Sequence, residues 1–557
     1  MAEISNTTSP ALADWDYLVV TASNEEQARA YESQLALRRG IGVMTAVGRV
    51  MVVADPGGKR IGSGGSTVYC LIKVLNAELR SSPGLATGNS SVAKILQRLR
   101  LLIVHAGGDS KRLPAYGPCG KLFVPVPGKG QSAFGLTLFD RQLPTLLALP
   151  PAQQPGVGQV VVVSGDTLIQ FDPERVRLAV EGITALGAYA APERASKHGV
   201  FCPGDAGQVR LYLQKPGPDD QARAGAVNGR GESVLDIGVM SFDAATAATL
   251  LLAFGAGLHP SGEVIWEESM RDKIAGNGLD FYREICCALG TETTPAHYLA
   301  QVRAAGSRWN KPDLERIYQS LRPVPLHVQV LDQCGFLHFG TTRQLVSSGL
   351  ELLRRDSAPN ALASLLSLNN VFGPAGRIMG KDAWVEGCIL NGPLELAGMN
   401  VVVGVKVDAP LALPFGACLD VIEGRTRAGV TAWFVRCYGI DDAFKDIVKD
   451  GATFCGRPVL QWLEALGPSP ADVWDAGIPI EKRTLWDARV FPAETKCNGY
   501  RDWLWMYHPE QATTHQKQAF LLADRYSLSE ASSLASQTAF HSRRARIRAA
   551  ESQVTIH

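Results

Sequence analysis

Residues 101–127, LLIVHAGGDSKRLPAYGPCGKLFVPVP, constrain the chain more than any other stretch. Leu101 to Val104 is a short apolar run followed at once by Gly107-Gly108. This pattern predicts a buried parallel strand whose carboxyl end opens into a ligand crevice. Two glycines let the backbone approach a polyphosphate and turn N–H groups toward it, where side chains would block access. Lys111, Arg112 and Lys121 follow and supply fixed positive charge for phosphate oxygens. The whole string predicts a nucleotide site. The glycines alone would equally fit a strand–turn–strand with surface lysines.

A second strand signal lies downstream. Four consecutive valines, residues 160–163, predict a strand buried on both faces, and Asp166 stands just past its end, where parallel sheets place ligand chemistry. Magnesium takes one or two protein carboxylates and completes its shell with phosphate oxygens and water, so one aspartate here suits a metal–nucleotide complex. A turn or helix cap is the competing reading of Asp166. Upstream, residues 17–21 and 50–54 read as strands, and Asn24 reads as the cap of a helix running to about Arg39. Gly62, Gly64 and Gly65 precede a helix predicted from Ser66 or Thr67 to about Leu79. Free N–H groups at its start would form an anion-binding arrangement, with a flexible glycine hairpin as the alternative.

The chain then changes character. Leu366, Phe372, Ile378, Trp384, Leu390, Leu396 and Val402 recur every six residues with glycine and asparagine between them. That period predicts a left-handed parallel β-helix, each face of a triangular coil taking one hexapeptide. From about Gly451 helical periodicity returns, with Trp462, Trp474 and Trp486 read as core. Ser527 and Glu530 form a capping box for a last helix, whose end, residues 541–548 with four arginines, reads as a solvated basic face. At 557 residues the chain is too long for one ordinary domain. The expected division is 1–345, a Rossmann-like α/β domain with a mixed, mainly parallel sheet; 346–450, the β-helix; and 451–557, mainly helical.

Composition excludes several function classes. Apolar residues make up 46% and charged residues 20%, enough for a large core. A formal net charge of +1 gives no general attraction to nucleic acid or anionic membrane, so neither is an expected partner. Eleven scattered cysteines without a CxxC pair form neither a disulfide framework nor a zinc pattern, and fit a cytoplasmic protein. The first residues lack a signal-peptide pattern, and no apolar run approaches the ~18 residues of a membrane span. Nothing in the sequence fixes an oligomeric state.

The string HAGGDSKRLPAYGPCGKLFVPVP resembles the signature of sugar-1-phosphate nucleotidylyltransferases, and most of all their fucose-1-phosphate guanylyltransferase branch. Ser110 in place of a third glycine, Gly120 in place of a proline, and an Arg112–Lys121 interval one residue short are features of that branch. DPGGKRIGSGGST around Gly62–Ser66 and LDFYREICCALGT from Leu279 resemble it as well. The resemblance implies transfer of GMP from GTP to L-fucose 1-phosphate with Mg2+, releasing pyrophosphate. It implies that Arg112 and Lys121 hold the triphosphate, with Lys111, Gly107, Gly108, Gly62, Gly64, Gly65 and Ser66 near the nucleotide. Asp166 would carry the metal. His198-Gly199 and the Gln214-Lys215-Pro216 segment match the family's sugar side, where Lys215 would bind the sugar phosphate. Asp236 would face the sugar. His338 stands where bacterial relatives carry a second metal-binding aspartate, and as an imidazole it is read as a phosphate or substrate contact. A β-helix after such a domain is a common pairing in the superfamily. No sugar-kinase glycine motif is visible, so the transfer step alone is expected of this polypeptide. Left open are a related sugar such as D-arabinose 1-phosphate, another base, and a non-catalytic nucleotide-binding scaffold.

Overall fold

The computed structural model describes residues 15–81, 90–108, 111–128, 136–151, 158–179, 181–356 and 365–544. Ser110 and two of the four C-terminal arginines lie outside these residues. The chain forms two compact units. One comprises the chain up to Gly107 together with Gln142–Phe336; the other comprises Gly108–Arg141 and the chain from Leu337 onward. The signature string is therefore shared, its first glycine grouping with one unit and its loop and lysines with the other.

The first unit is an α/β layer structure. Its elements include β1 (Trp15–Ala22), α1 (Glu25–Gly40), β2 (Val47–Ala54), α2 (Gly62–Ser81), β3 (Arg100–His105), β4 (Gln159–Ser164), β5 (Ile183–Ala190), β6 (Gly199–Pro203), β7 (Val209–Gln214), β8 (Ser233–Phe242) and β9 (Leu326–Val330). These strands form one nine-stranded sheet in the order β9-β5-β8-β4-β3-β1-β2, with the β6–β7 hairpin attached along β8. Leu101–Val104 on β3 and Val160–Val163 on β4 are fully buried, as strands covered on both faces must be. Asn24 caps α1, its side-chain oxygen accepting from the Gln27 N–H at 2.9 Å, with Glu25 and Glu26 in the first turn and Arg38 and Arg39 in the last.

The expectation of a mainly parallel sheet needs correction. The β2-β1-β3-β4 run and the β9–β5 edge pair are parallel, but β8 enters between β4 and β5 antiparallel to both. β6 is antiparallel to β7 and β8 as well. The connection from β6 to β7 is too short for a parallel crossover, which needs about a dozen residues or more.

In the second unit the chain visits three parallel ladders in rotation. Leu366 pairs with Trp384 and Trp384 with Val401; Phe372 with Leu390 and Leu390 with Val407; Ile378 with Leu394 and Leu394 with Leu411. Each circuit takes close to three hexapeptide steps. Leu366, Trp384, Leu390, Leu396 and Val402 are buried, whereas Phe372 is half exposed, on a strand with a neighbour on one side only. The stack ends in an antiparallel pair, Ala417–Arg425 with Thr431–Gly439, and short strands Phe491–Glu494 and Arg525–Tyr526 extend that sheet. The region after Gly451 is thus not simply helical; short helices such as Val459–Leu466 and Leu528–Leu534 alternate with 3-10 turns and strands. Ser527 and Glu530 cap the latter helix reciprocally.

The two described C-terminal arginines, Arg543 and Arg544, are not a solvated face. Arg544 is buried and holds the buried Glu386 carboxylate with two parallel N–H bonds, Nε to Oε1 at 2.7 Å and Nη2 to Oε2. Glu386 also accepts from the Tyr116 hydroxyl at 3.2 Å. The basic residues close the core of this unit because a buried carboxylate on the coil requires a paired cation. Among the described residues no helix is long and apolar enough to cross a membrane.

Candidate active site

In the first unit a line of contacts joins the sugar-side and metal-side candidates. β4 ends at Ser164, whose hydroxyl donates to Asp166 Oδ1 at 2.9 Å. Neighbouring β8 carries Asp236 and Gly238; a Cβ added to Gly238 would lie 3.1 Å from the Ser164 Cβ and 3.8 Å from the Tyr282 hydroxyl. Gly238 has φ +77, and its N–H donates to Asp236 Oδ1 at 2.7 Å. The Tyr212 hydroxyl donates to Asp236 Oδ2 at 2.8 Å. Glycine at 199 is what admits that tyrosine, since a Cβ there would fall 1.8 Å from its oxygen. Gly199 pairs with Gln214 across the hairpin, and the Lys215 N–H donates to the His198 carbonyl at 3.1 Å. The His198 ring meets Phe336 edge-on.

Electrostatics marks the same place. Burial pushes the Asp236 carboxyl up to about 6, against the two hydrogen bonds that favour its charged form. Burial, and after it the charges of Asp236, Asp280 and Asp166, hold the Tyr282 hydroxyl well above the usual phenol range. Perturbed groups gathered in one place make this a candidate functional site. Asp166 itself is half-exposed. Among the described residues no three His, Cys, Asp or Glu side chains group to form a protein metal cage. The donor set suits a hard cation that keeps most of its ligands as water and phosphate, which is how magnesium binds.

Lys215 carries a second mark. It is exposed at the end of β7 with φ +52, a left-handed conformation disfavoured for any residue with a Cβ. Such outliers collect at ligand sites, where the surrounding structure holds them.

The glycine candidates behave differently from expectation. α2 begins at Gly62, so Gly62, Gly64 and Gly65 form its first turn and do not precede it. The Gly64 and Gly65 N–H groups both donate to the Leu279 carbonyl, at 2.8 and 3.1 Å. The expected pair of free helix-start donors is corrected on this point: the chain supplies its own cap. Gly62, at φ +82, would put a Cβ 2.4 Å from the same carbonyl, so close packing by itself requires glycine. The Ser66 hydroxyl donates to buried Asp55 at 2.8 Å. The Gly107 N–H donates to the Thr21 hydroxyl at 3.1 Å, while Gly108, at φ +128, takes a conformation that favours glycine.

The remaining cations belong to the second unit. The Arg112 carbonyl accepts from the Thr342 N–H at 2.9 Å, fixing the arginine against the turn that follows His338. Its guanidinium has no hydrogen-bond or ion-pair partner among the described residues. Lys111 places its ammonium 4.9 Å from the Trp486 ring centroid. Lys121 follows Gly120, which has φ +67. His338 Nδ1 lies 2.9 Å from Gln344 Oε1, which also accepts from the Gly340 N–H at 3.1 Å. The amide oxygen can only accept, so Nδ1 carries the proton and Nε2 is the basic nitrogen.

Four residues near the candidates were not singled out as site residues by the sequence, among them Trp486, which was read as core and is half-exposed. Tyr212 and Tyr282 flank Asp236, Trp486 faces Lys111, and Gln344 orients His338. Tyr282 lies in the LDFYREICCALGT string, which forms a π-turn capped by Asp280.

Comparison with known proteins adds a family. Residues 93–496 match the family model described as "Fucose pyrophosphorylase domain". A bifunctional fucokinase/GDP-fucose pyrophosphorylase of Arabidopsis thaliana is 26% identical over 86% of this chain and 47% of its own length. An L-fucokinase/L-fucose-1-P guanylyltransferase of Bacteroides fragilis is 26% identical over 75% and 40%. The chain thus spans less than half of these two relatives. A fucose-1-phosphate guanylyltransferase of Homo sapiens is 24% identical over 88% of this chain and 82% of its own. A solved mannose-1-phosphate geranyltransferase from Thermus thermophilus aligns at 16% identity over 73% of this chain and 92% of its own, with a TM-score of 0.22 that is too low to bear on the fold. With the family model matched over most of its length, this chain belongs to the fucose pyrophosphorylase family.

Proposed function

We propose that this protein is a fucose-1-phosphate guanylyltransferase, joining GTP and L-fucose 1-phosphate into GDP-L-fucose and pyrophosphate. A phosphate oxygen of the sugar attacks the α-phosphorus of GTP in line, and the bond to the bridging oxygen of pyrophosphate breaks. The nucleophile arrives already anionic, so no Ser–His or Cys–His pair is required. The protein's task is to align two anions that repel each other and to stabilise charge on the leaving group.

The observation that carries this reading is the line of contacts from Asp166 through Gly238, Asp236 and Tyr212 to the β6–β7 hairpin that ends in Lys215. It sets a half-exposed carboxylate and an exposed, conformationally held cation on one connected framework. In this reading Lys215 binds the sugar phosphate, with His198 and Gly199 shaping its strand end. Asp236 accepts from sugar hydroxyls. Arg112 and Lys121 hold the triphosphate, the guanidinium fork suiting phosphate oxygens, with Lys111 beside them. His338 presents Nε2 to substrate. Gly107, Gly108 and the Gly62–Ser66 turn shape the nucleotide side as backbone. Asp166 would hold Mg2+, which when bound offsets phosphate charge.

The three rotating ladders are read as a left-handed parallel β-helix following a 1–345 transferase domain, with 451–557 closing it. Pyrophosphate release measured across four NTPs and a panel of sugar 1-phosphates tests the assignment. GTP with L-fucose 1-phosphate is expected to give the highest kcat/KM. A higher value for another pair, such as one with D-arabinose 1-phosphate, replaces the substrate.

A further inference from the structure

Inside the second unit, helical residues 537–544 cover a cavity of about 410 Å3 that the transfer chemistry does not use. Val403, Val421, Trp433 and Phe540 form apolar walls, and Arg543, Glu423 and Cys497 also line it. Arg543 Nη1 donates to the Gly404 carbonyl at 2.5 Å. Its Nε and Nη2 are buried and have no hydrogen-bond partner among the described residues. Those two nitrogens form the edge of the guanidinium that grips a carboxylate with two parallel bonds. The adjacent Arg544 uses that edge on Glu386, and Arg343 uses it on Asp441. Arg544 has no free edge to offer a second carboxylate, because Nε and Nη2 are taken by Glu386 and Nη1 donates to the Phe540 carbonyl at 2.8 Å. Glu423 is exposed and makes no bond to Arg543. One half-buried arginine whose fork atoms are buried therefore faces an apolar chamber.

We propose that this chamber binds a small organic monoanion, its carboxylate seated on the Nε/Nη2 edge of Arg543 and its apolar body against Trp433 and Phe540. A single guanidinium fork without a hydrogen-bonded partner among the described residues matches one carboxylate head group, not a triphosphate. Walls made mostly of valine, isoleucine and aromatic carbon offer too few donors and acceptors to satisfy the hydroxyls of a sugar. The volume lies in the range of about 300–1,000 Å3 usual for small-ligand pockets.

Octanoate is the probe, with octan-1-ol and inorganic phosphate as controls, on the full chain. Cys497 reports occupancy through its rate of alkylation by iodoacetamide, read by peptide mass spectrometry; half-exposed Cys334 and Cys455 serve as references. Octanoate at about nine times its Kd should slow Cys497 labelling about tenfold by mass action, leaving the references unchanged. Neither control should protect, and Arg543→Gln should abolish protection. Equal protection by octanol or by phosphate overturns the proposal, as does the absence of protection by octanoate or its survival in a folded Arg543→Gln. Should that variant fail to fold, the contrast between octanoate and octanol on the unmodified chain decides alone.

Discussion

Replacing Asp236 with asparagine should stabilise the protein at neutral pH while damaging catalysis. The carboxyl is 5% exposed and accepts from Tyr212 at 2.8 Å and Gly238 at 2.7 Å, yet burial raises its pKa from 3.8 to about 6. The folded protein thus holds the proton more tightly than the unfolded chain between pH 4 and pH 6. Stability tied to this group is fully present below about pH 4 and is lost as pH rises through about 6. A shift of about two units corresponds to about 3 kcal/mol of cost for the charged form above pH 7. Asparagine matches the protonated carboxyl at every pH and never meets that cost. The stability difference, Asp236→Asn minus unmodified, should be under about 1 kcal/mol at pH 4, about 1.6 at pH 5 and about 3 at pH 7.5. Calorimetric unfolding of both proteins across this range, following the transition of the first unit, gives the difference directly. A gap that is flat with pH, or a variant less stable than the unmodified protein at pH 7.5, refutes the reasoning.

Other outcomes follow from the same geometry. Lys215→Ala and Lys215→Gly should both lower kcat/KM about a hundred- to thousandfold, as loss of one charged donor does. Glycine should leave the protein about 1 kcal/mol more stable than alanine, because only alanine carries a Cβ at φ +52; kinetics and melting on the pair check this. Gly199→Ala forces the Tyr212 hydroxyl away from a Cβ 1.8 Å distant and should destabilise by about 1–3 kcal/mol, read by denaturant unfolding. Arg436 and Asp420 form a fully buried pair, so Arg436→Met should cost about 3–5 kcal/mol, much of it recovered in the double variant with Asp420→Asn. Asp166→Ala should lower kcat about a hundred- to thousandfold with little change in melting temperature, because its side chain is half-exposed.

Much of the sheet was legible because its signals are local. The apolar runs at Leu101–Val104 and Val160–Val163, the Asn24 cap and the hexapeptide spacing depend on neighbours in sequence. The start of α2 was not legible, since Gly62–Gly65 reads as loop by propensity until the Leu279 carbonyl, far along the chain, caps its N–H groups. Antiparallel β8 escaped for a like reason: strand runs show burial but not direction. The burial of Arg544 depends on the coil, where Glu386 waits without any local sign in the arginine-rich tail. Asp166 was visible by its position past a buried strand, and Asp236 and Lys215 only through the resemblance to the family, but the tyrosines between them were not visible. Tyr212 and Tyr282 look like ordinary core until the carboxylates close around them.

Direct attack of one anion on another is the central claim, and label exchange tests it most directly. Incubated with GTP and radiolabelled pyrophosphate alone, the protein should put no label into GTP, because no enzyme group takes up the guanylyl moiety. Adding GDP-L-fucose should start exchange at once, as pyrophosphate then attacks the sugar nucleotide and returns labelled GTP. Exchange without any sugar substrate would reveal a covalent guanylyl-enzyme, and no exchange with GDP-L-fucose would remove the transferase itself.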